Sequence, residues 1–303
     1  MRIVSWNCHY GFDGKKPEAI KEYDADILVI PECREIDMKS SGYDEKHSDW
    51  YGDHKEATDT LGNTNKEKDL GIGVFWKDGI TVTRLTEWDN TLMKESDFRY
   101  LVPYKVEGNF EPFTLIAVWT KNKTDVSDPL DYVQKAHAAV DHYKSIDLLN
   151  GRVILIGDFN SNIIWNDRYR KEWNHSALVE KLEKLGIKEC FFPLEKDEYH
   201  TFIYYRDKEY HRVVDDYCFA SADLAKSAKL SVPGSDKWTI ENGAKRWNGS
   251  DHCPIIVDFD MQEIHSSEKE LSDEEVLRIN EEMFLNTPGI DKPFDLSKKG
   301  ILD

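Results

Sequence analysis

Every apolar run in this sequence is short, and nearly all stop at a polar residue or a glycine. Ile3-Val4-Ser5-Trp6 runs into Asn7, Ile27–Ile30 into Pro31-Glu32, and Val153–Ile156 into Gly157-Asp158. Leu70–Trp76, Phe113–Trp119, Val213–Ala220 and Pro254–Phe259 complete the set. Runs of this length, closed by turn formers, read as buried strands. Helical periodicity separates them. Leu130, Val133, Ala136, His137, Val140, Tyr143 and Ile146 follow a 3.6-residue repeat over 130–149, and Pro17–Tyr23 is a shorter helix. A third helix spans 176–185, with Gly186 as its C-cap. Strands interleaved with helices and hairpins predict an α/β protein with mixed sheets.

The 303 residues carry 58 acidic against 40 basic side chains, a net charge of −18. A protein that coats DNA by broad basic steering does not carry that charge. A local basic groove is compatible with it, and acidic surface favours divalent cations. The five cysteines are scattered with no Cys-x-x-Cys spacing, which argues against a zinc ribbon or disulfide framework. No apolar stretch nears the roughly 18 residues of a membrane span. The N-terminus enters a strand pattern directly, so the expected location is cytoplasmic and no membrane partner is expected. From Gln262 the composition shifts: 11 acidic and 5 basic residues place −6 of the charge in 262–303. Ser272-Asp273-Glu274-Glu275 reads as a capping box opening an amphipathic helix to Met283 or Phe284. The expected organisation is a main domain over 1–261 and an acidic extension over 262–303.

Polar residues collect where the strands end: Asn7, Glu32, Gly157-Asp158-Phe159-Asn160, Asp215-Asp216-Tyr217 and Ser250-Asp251-His252. Carboxylates and amides at strand ends suit Mg²⁺, which takes oxygen ligands and keeps several waters. A histidine beside an aspartate suggests an oriented imidazole. Each piece alone is an ordinary turn or solvated loop. Their joint order along one chain is more specific.

In that order, and in Ser5-Trp6-Asn7, Gly157-Asp158-Phe159-Asn160 and Ser250-Asp251-His252-Cys253-Pro254-Ile255, residues 1–260 resemble the endonuclease/exonuclease/phosphatase superfamily. Its members include AP endonucleases, pancreatic-type deoxyribonucleases, sphingomyelinases and inositol polyphosphate phosphatases. The resemblance implies a four-layer sandwich of two packed mixed β-sheets flanked by helices, with the site at the sheet edges. It implies Glu32 as the principal Mg²⁺ ligand (Mn²⁺ as a substitute), helped by Asn7 and Asp251 directly or through water. Asp158 would orient or deprotonate the attacking water, and Asn160 would bond a phosphate oxygen. His252 would contact the scissile phosphate, oriented by Asp216. Asp216 is preferred to Asp215 because Tyr217 follows it, and strand alternation would let only one of the two point inward. Arg99 resembles a phosphate-facing arginine of some relatives, or is a surface arginine.

The sequence also departs from that pattern. Trp119 stands where relatives place His or Tyr, and an indole is neither acid nor base at neutral pH. Leaving-group protonation would then come from elsewhere or from metal-bound water, while Trp119 packs or stacks on a substrate ring. The Tyr-x-Pro-Asn segment of AP endonucleases is absent, since the chain reads Trp119-Thr120-Lys121-Asn122. The 200–212 segment interleaves aromatics with Arg206 and Arg212, and Arg246-Trp247 precedes Ser250-Asp251-His252. Aromatics among basic residues suit nucleic-acid strands. A nuclease cleaving DNA or RNA by in-line attack of water is therefore the leading expectation. A phosphatase or phosphodiesterase of small soluble phosphoesters comes second, and a non-catalytic module last.

Overall fold

In the computed structural model of the chain, residues 1–52, 70–86, 100–121, 130–190, 200–233, 238 and 249–262 are described. Strands β1 (Arg2–Ser5), β2 (Ile27–Arg34), β3 (Ser48–Gly52) and β4 (Leu70–Trp76) open the first sheet. Strands β5 (Thr81–Arg84), β6 (Leu101–Gly108), β7 (Phe110–Trp119), β8 (Val153–Asp158) and β9 (Ile187–Glu189) belong to the second. Strands β10 (Phe202–Arg206) and β11 (Glu209–Val213) form a separate hairpin. Strand β12 (Asp216–Ser221) returns to the second sheet, and β13 (Lys229–Ser231) and β14 (Ile255–Asp258) return to the first. The orders are β13-β14-β1-β2-β4-β3 and β5-β6-β7-β8-β12-β9.

Each sheet has one parallel pair, β1 with β2 and β7 with β8, among antiparallel neighbours. A parallel pair needs a crossover. Helix α1 (Lys16–Ile20) lies in the first crossover and α3 (Val133–Ser145) in the second, while α2 (Glu35–Ser40) follows β2. Helices α4 (His175–Lys184) and α5 (Ala222–Ser227) complete the helical layers. The alternation of strand side chains separates the cores. Ile3, Ile27 and Val29 join the large core with Leu115, Ile116 and Val118, which α3 and α4 extend through Ala136, Val140, Leu178 and Leu182. Val4, Leu28 and Ile30 turn the other way, toward Trp6, Phe12, Ile20 and Trp238. The result is the four-layer α/β sandwich. All five cysteines are free and buried. Among the described residues no helix is long and apolar enough to cross a membrane. Residues 1–263 form one compact unit. The helix expected at Ser272–Phe284 lies outside the described residues.

One expected strand is two. The run Val213–Ala220 breaks at Val214-Asp215, between β11 and β12. Thr201 Oγ1 accepts the backbone N–H groups of both Asp215 and Asp216, at 3.0 Å each, and the Asp215 carbonyl accepts from Phe159 N at 2.9 Å. These bonds take the place of a regular ladder. The rule that consecutive residues face opposite ways therefore fails at Asp215-Asp216.

Gly157 keeps β7 and β8 in register to their last pair, Trp119 opposite Asp158. Its φ is +144°, and a Cβ there would land on the Val118 carbonyl. Only glycine permits that approach. Gly157→Ala is expected to cost at least about 2 kcal/mol in urea denaturation, through strain plus backbone overlap. A cost below about 0.5 kcal/mol, the size of an ordinary surface change, would show that the pairing is not tight.

Candidate active site

Topology brings the polar residues to one end of the sandwich. Asn7 follows β1, and β14 runs antiparallel to β1 with Ile255 opposite Ser5, so Asp251 and His252 arrive beside Asn7. Strand β12 runs antiparallel to β8 with Asp216 opposite Asp158. Glu32 sits in β2 at a bulge between Pro31 and Cys33, with a φ of +62°. Asn160 also has positive φ, at +44°. Such backbone strain in non-glycine residues clusters where side chains must be aimed.

Asn7 joins the two sheets. Its Nδ2 donates to Glu32 Oε1 at 3.1 Å and to Asp158 Oδ2 at 2.9 Å, and its Oδ1 accepts from His9 N at 2.9 Å. The other Glu32 oxygen accepts from Tyr10 N at 3.0 Å. Asp158 is fully buried. Its Oδ1 accepts from Asn160 N at 2.8 Å, and its Oδ2 accepts from Asn160 Nδ2 at 2.7 Å. Burial pushes the Asp158 carboxyl up to about 8; His252 opposes this, Asp216 adds to it, and the amides of Asn7 and Asn160 pull it back. Asn160 Nδ2 also donates to Thr120 O at 2.9 Å, so its amide is engaged within the protein.

The second half of the site centres on His252, 4% exposed. Its Nδ1 donates to Asp216 Oδ2 at 2.9 Å. Its backbone N–H donates to Ser250 Oγ at 3.0 Å, Ser250 Oγ donates to Asn7 O at 2.7 Å, and Trp6 Nε1 donates to His252 O at 3.0 Å. Burial works against a charged imidazole, but Asp216, Asp158 and Asp215 hold His252 well above its usual value. Asp251 faces the Nε2 side, with Oδ1 at 3.9 Å. Burial raises Asp251, and His9 and His252 overcome that to hold it below the ordinary carboxylate value.

Three residues outside the expected set belong to this cluster. Asp215 is 1% exposed and lies 3.9 Å from His252 Nδ1, its Oδ2 without a hydrogen-bond partner. Both members of the Asp215-Asp216 pair therefore face the imidazole, which corrects the expectation that only one could. Burial pushes the Asp215 carboxyl well up, with His252 opposing and the other carboxylates adding. His9 Nδ1 lies 3.0 Å from Asp251 Oδ1. Lys16 Nζ is buried and donates to the carbonyls of Cys8, His9 and Gly11 at 2.6, 3.0 and 2.8 Å, tying down the loop that carries His9. The only signal for His9 and Asp215 was adjacency to Asn7 and Asp216; for Lys16 there was none.

Of the expected substrate contacts, Trp119, Arg206 and Arg212 lie among the described residues. Trp119 is 4% exposed, packs on Tyr100 at 5.0 Å between ring centroids, and has Lys121 Nζ 4.5 Å over its ring. That burial leaves little surface for stacking on a substrate. Arg206 and Arg212 lie exposed on the hairpin. Arg99, Arg246 and Trp247 lie outside the described residues.

These shifts have a stability consequence. A carboxyl with a higher pKa folded than unfolded keeps a proton that the unfolded chain has released, so stability drains as pH rises toward the folded value. For Asp158 the drain runs from about 4 to about 8. His175, lowered to about 4 by burial, acts with opposite sign but only below the ordinary histidine range. Between pH 6.5 and 8, urea denaturation in chelator should show falling stability, with a smaller slope in Asp158→Asn. A rising stability over that window, or a slope unchanged in Asp158→Asn, would contradict this.

The sequence matches the Endonuclease/Exonuclease/phosphatase family over residues 4–252. Among curated proteins no sequence gives a significant match. The fold is similar to the catalytic domain of Xenopus laevis APE2, with a TM-score of 0.58 and 18% identity, over 88% of this chain and 94% of that one. It is similar to truncated Caenorhabditis elegans TDP2, with a TM-score of 0.54 and 15% identity, over 85% and 96%. It is also similar to the Neisseria 3′ phosphatase NExo bound to product DNA hairpin, with a TM-score of 0.54 and 15% identity, over 86% and 99%. At these identities the structures speak to the fold alone. The family match takes in both halves of the site, from Asn7 to His252, and the chain belongs to the Endonuclease/Exonuclease/phosphatase family, whose enzymes hydrolyse phosphoester bonds.

Proposed function

We propose that residues 1–261 are a divalent-metal-dependent phosphodiester hydrolase that cleaves nucleic acid. The observation that carries this reading is the buried Asp158 beside the His252–Asp216 pair, a base and a cationic acid at one sheet end. The donor set fits a hard cation. Glu32 and Asp251 are carboxylates, and four acidic side chains, Asp158, Asp215, Asp216 and Asp251, act on the one imidazole. Asn7 gives its amide nitrogen to Glu32 and Asp158 and its oxygen to His9 N, so it orients the carboxylates rather than ligating a cation directly. The buried group Asp215, Asp216 and His252 also has ligand atoms within 4.8 Å of one another, but its imidazole Nδ1 is already bonded to Asp216. We read it as an acid–base pair with an added carboxylate.

Mg²⁺, with Mn²⁺ as a substitute, would be held by Glu32 and Asp251 and would supply Lewis-acid stabilisation of the charge developing on the phosphoryl group. Asp158 accepts the proton of the attacking water, a task suited to a carboxyl raised toward neutrality. Asn160 fixes the Asp158 carboxylate through two hydrogen bonds. His252, held protonated by Asp216, donates to a non-bridging phosphoryl oxygen and offsets transition-state charge. A similar structure, the Neisseria 3′ phosphatase NExo bound to product DNA hairpin, supports a nucleic-acid substrate. The net charge of −18 favours a second reading, a hydrolase of small soluble phosphoesters that needs no long-range attraction to DNA.

The test is metal-dependent hydrolysis of bis(p-nitrophenyl) phosphate beside p-nitrophenyl phosphate and labelled oligonucleotides. Turnover of the diester and oligonucleotides is expected, with Glu32→Gln and His252→Ala each losing about 10²–10⁴-fold in kcat. Turnover of the monoester alone would move the assignment to the small-phosphoester reading.

The pH profile carries a separate prediction. Activity needs Asp158 ionised and His252 protonated. It should rise with pH through a group well above the ordinary carboxylate value, and fall only above the ordinary histidine value. An acid limb near pH 4 would remove Asp158 from the role of base.

A further inference from the structure

The hairpin β10–β11 belongs to neither sheet, yet it is fastened to the catalytic loop. Cys253 N donates to Thr201 O at 2.6 Å, Ile203 N donates to Asp251 O at 2.8 Å, and Phe202 bridges to His252. Its turn at Asp207-Lys208 has φ of +52° and +67°, the tight type I′ form. An isolated two-stranded hairpin is marginal in water, so one displayed beside a catalytic loop invites a reason.

Its side chains offer one. Strand alternation places Phe202 and Tyr204 on one face, with His211 opposite Tyr204. The Phe202 ring lies 4.6 Å from the His252 imidazole. Phe202 and Tyr204 stack at 5.6 Å and 24°, and Tyr204 and His211 stack at 5.0 Å and 18°. A row of rings thus starts at the catalytic imidazole, with Phe202 tilted 32° to it, and continues through the stacked Tyr204 and His211 of the hairpin. At the tip, Tyr205 is 63% exposed, and Arg206 and Lys208 are exposed. Over 202–213 the basic residues Arg206, Lys208 and Arg212 outnumber Asp207 and Glu209, in a chain of net charge −18.

We infer that this row is a base-stacking arm, and that the substrate is nucleic acid with unpaired bases flanking the scissile phosphate. The inference rests on the nuclease reading above and narrows it. A ring row continuous with His252 meets whatever is covalently joined to the phosphate that His252 contacts. Every base has a π-face and can extend the row, while the cations at the tip suit the backbone. In a duplex those faces are already taken by neighbouring bases. A single strand, a frayed end or a loop leaves them open.

The test measures cleavage of a single-stranded oligonucleotide, a matched duplex, and a single strand whose residues around the cut are base-free tetrahydrofuran units. Wild type should prefer the first. Tyr204→Leu and His211→Ala should each raise KM about tenfold on it, with kcat little changed, and should have no effect on the base-free strand. Tyr204→Phe keeps the ring and should keep the wild-type KM, and the base-free strand separates stacking from hairpin integrity. An unchanged KM in Tyr204→Leu and His211→Ala, an equal rise on the base-free strand, or equal use of duplex and single strand would overturn the inference. Failure of wild type to cut any oligonucleotide while it turns over bis(p-nitrophenyl) phosphate would instead remove the nuclease reading beneath it.

Discussion

The site depends on one hydrogen bond, from Asn7 Nδ2 to Asp158 Oδ2 at 2.9 Å. Asn7 follows β1 of the first sheet, and Asp158 ends β8 of the second. Their contact sets how the two sheet ends meet, and it does so where Asp158 has no exposure. A hydrogen bond to a charged group contributes about 1.5–3 kcal/mol, and a buried acceptor left without one costs a similar amount. The amide therefore keeps Asp158 in place while burial keeps its proton affinity high. The same Asn7 side chain reaches Glu32, so the carboxylate assigned to the cation and the one assigned to the water share a single orienting group.

Function and stability pull against each other in this corner. Asp158, Asp215 and Asp216 are buried around one imidazole, and buried like charges are destabilising unless paired. A cation at Glu32 and Asp251 and an anionic phosphate beside His252 would each change that balance. Such an end is poorly suited to serve as packing alone. The rest of the sandwich, with its two apolar cores and the glycine-permitted contact of β7 with β8, supplies the rigidity that tolerates it.

Much of this was legible in the sequence, because strand ends are marked by the change from apolar runs to polar residues. Asn7, Glu32, Asp158, Asp216, Asp251 and His252 could be placed together on that signal and on the order of the motifs. What stayed hidden depends on contacts distant in sequence. Thr201 breaks the ladder before Asp216, so Asp215 joins the imidazole when strict alternation says it should not. Lys16 holds the loop of His9 through three carbonyls, and no local pattern announces a lysine that is buried to bond backbone. Helix ends were also overdrawn: the periodicity from 130 to 149 gives a helix only over Val133–Ser145, since apolar residues continue past the helical backbone. Trp119 could be read as packing or stacking, and its burial against Tyr100 under Lys121 shows the packing.

The central claim is that Asn7 acts through Asp158, as one unit spanning the sheets. The direct measurement is a double-mutant cycle on kcat with Asn7→Ala, Asp158→Asn and the pair. The account predicts strong non-additivity: once Asp158 has been changed, loss of Asn7 costs only what it contributes through Glu32, well below its cost in the wild-type background. Losses that simply multiply would show that Asn7 and Asp158 work independently and would contradict the account.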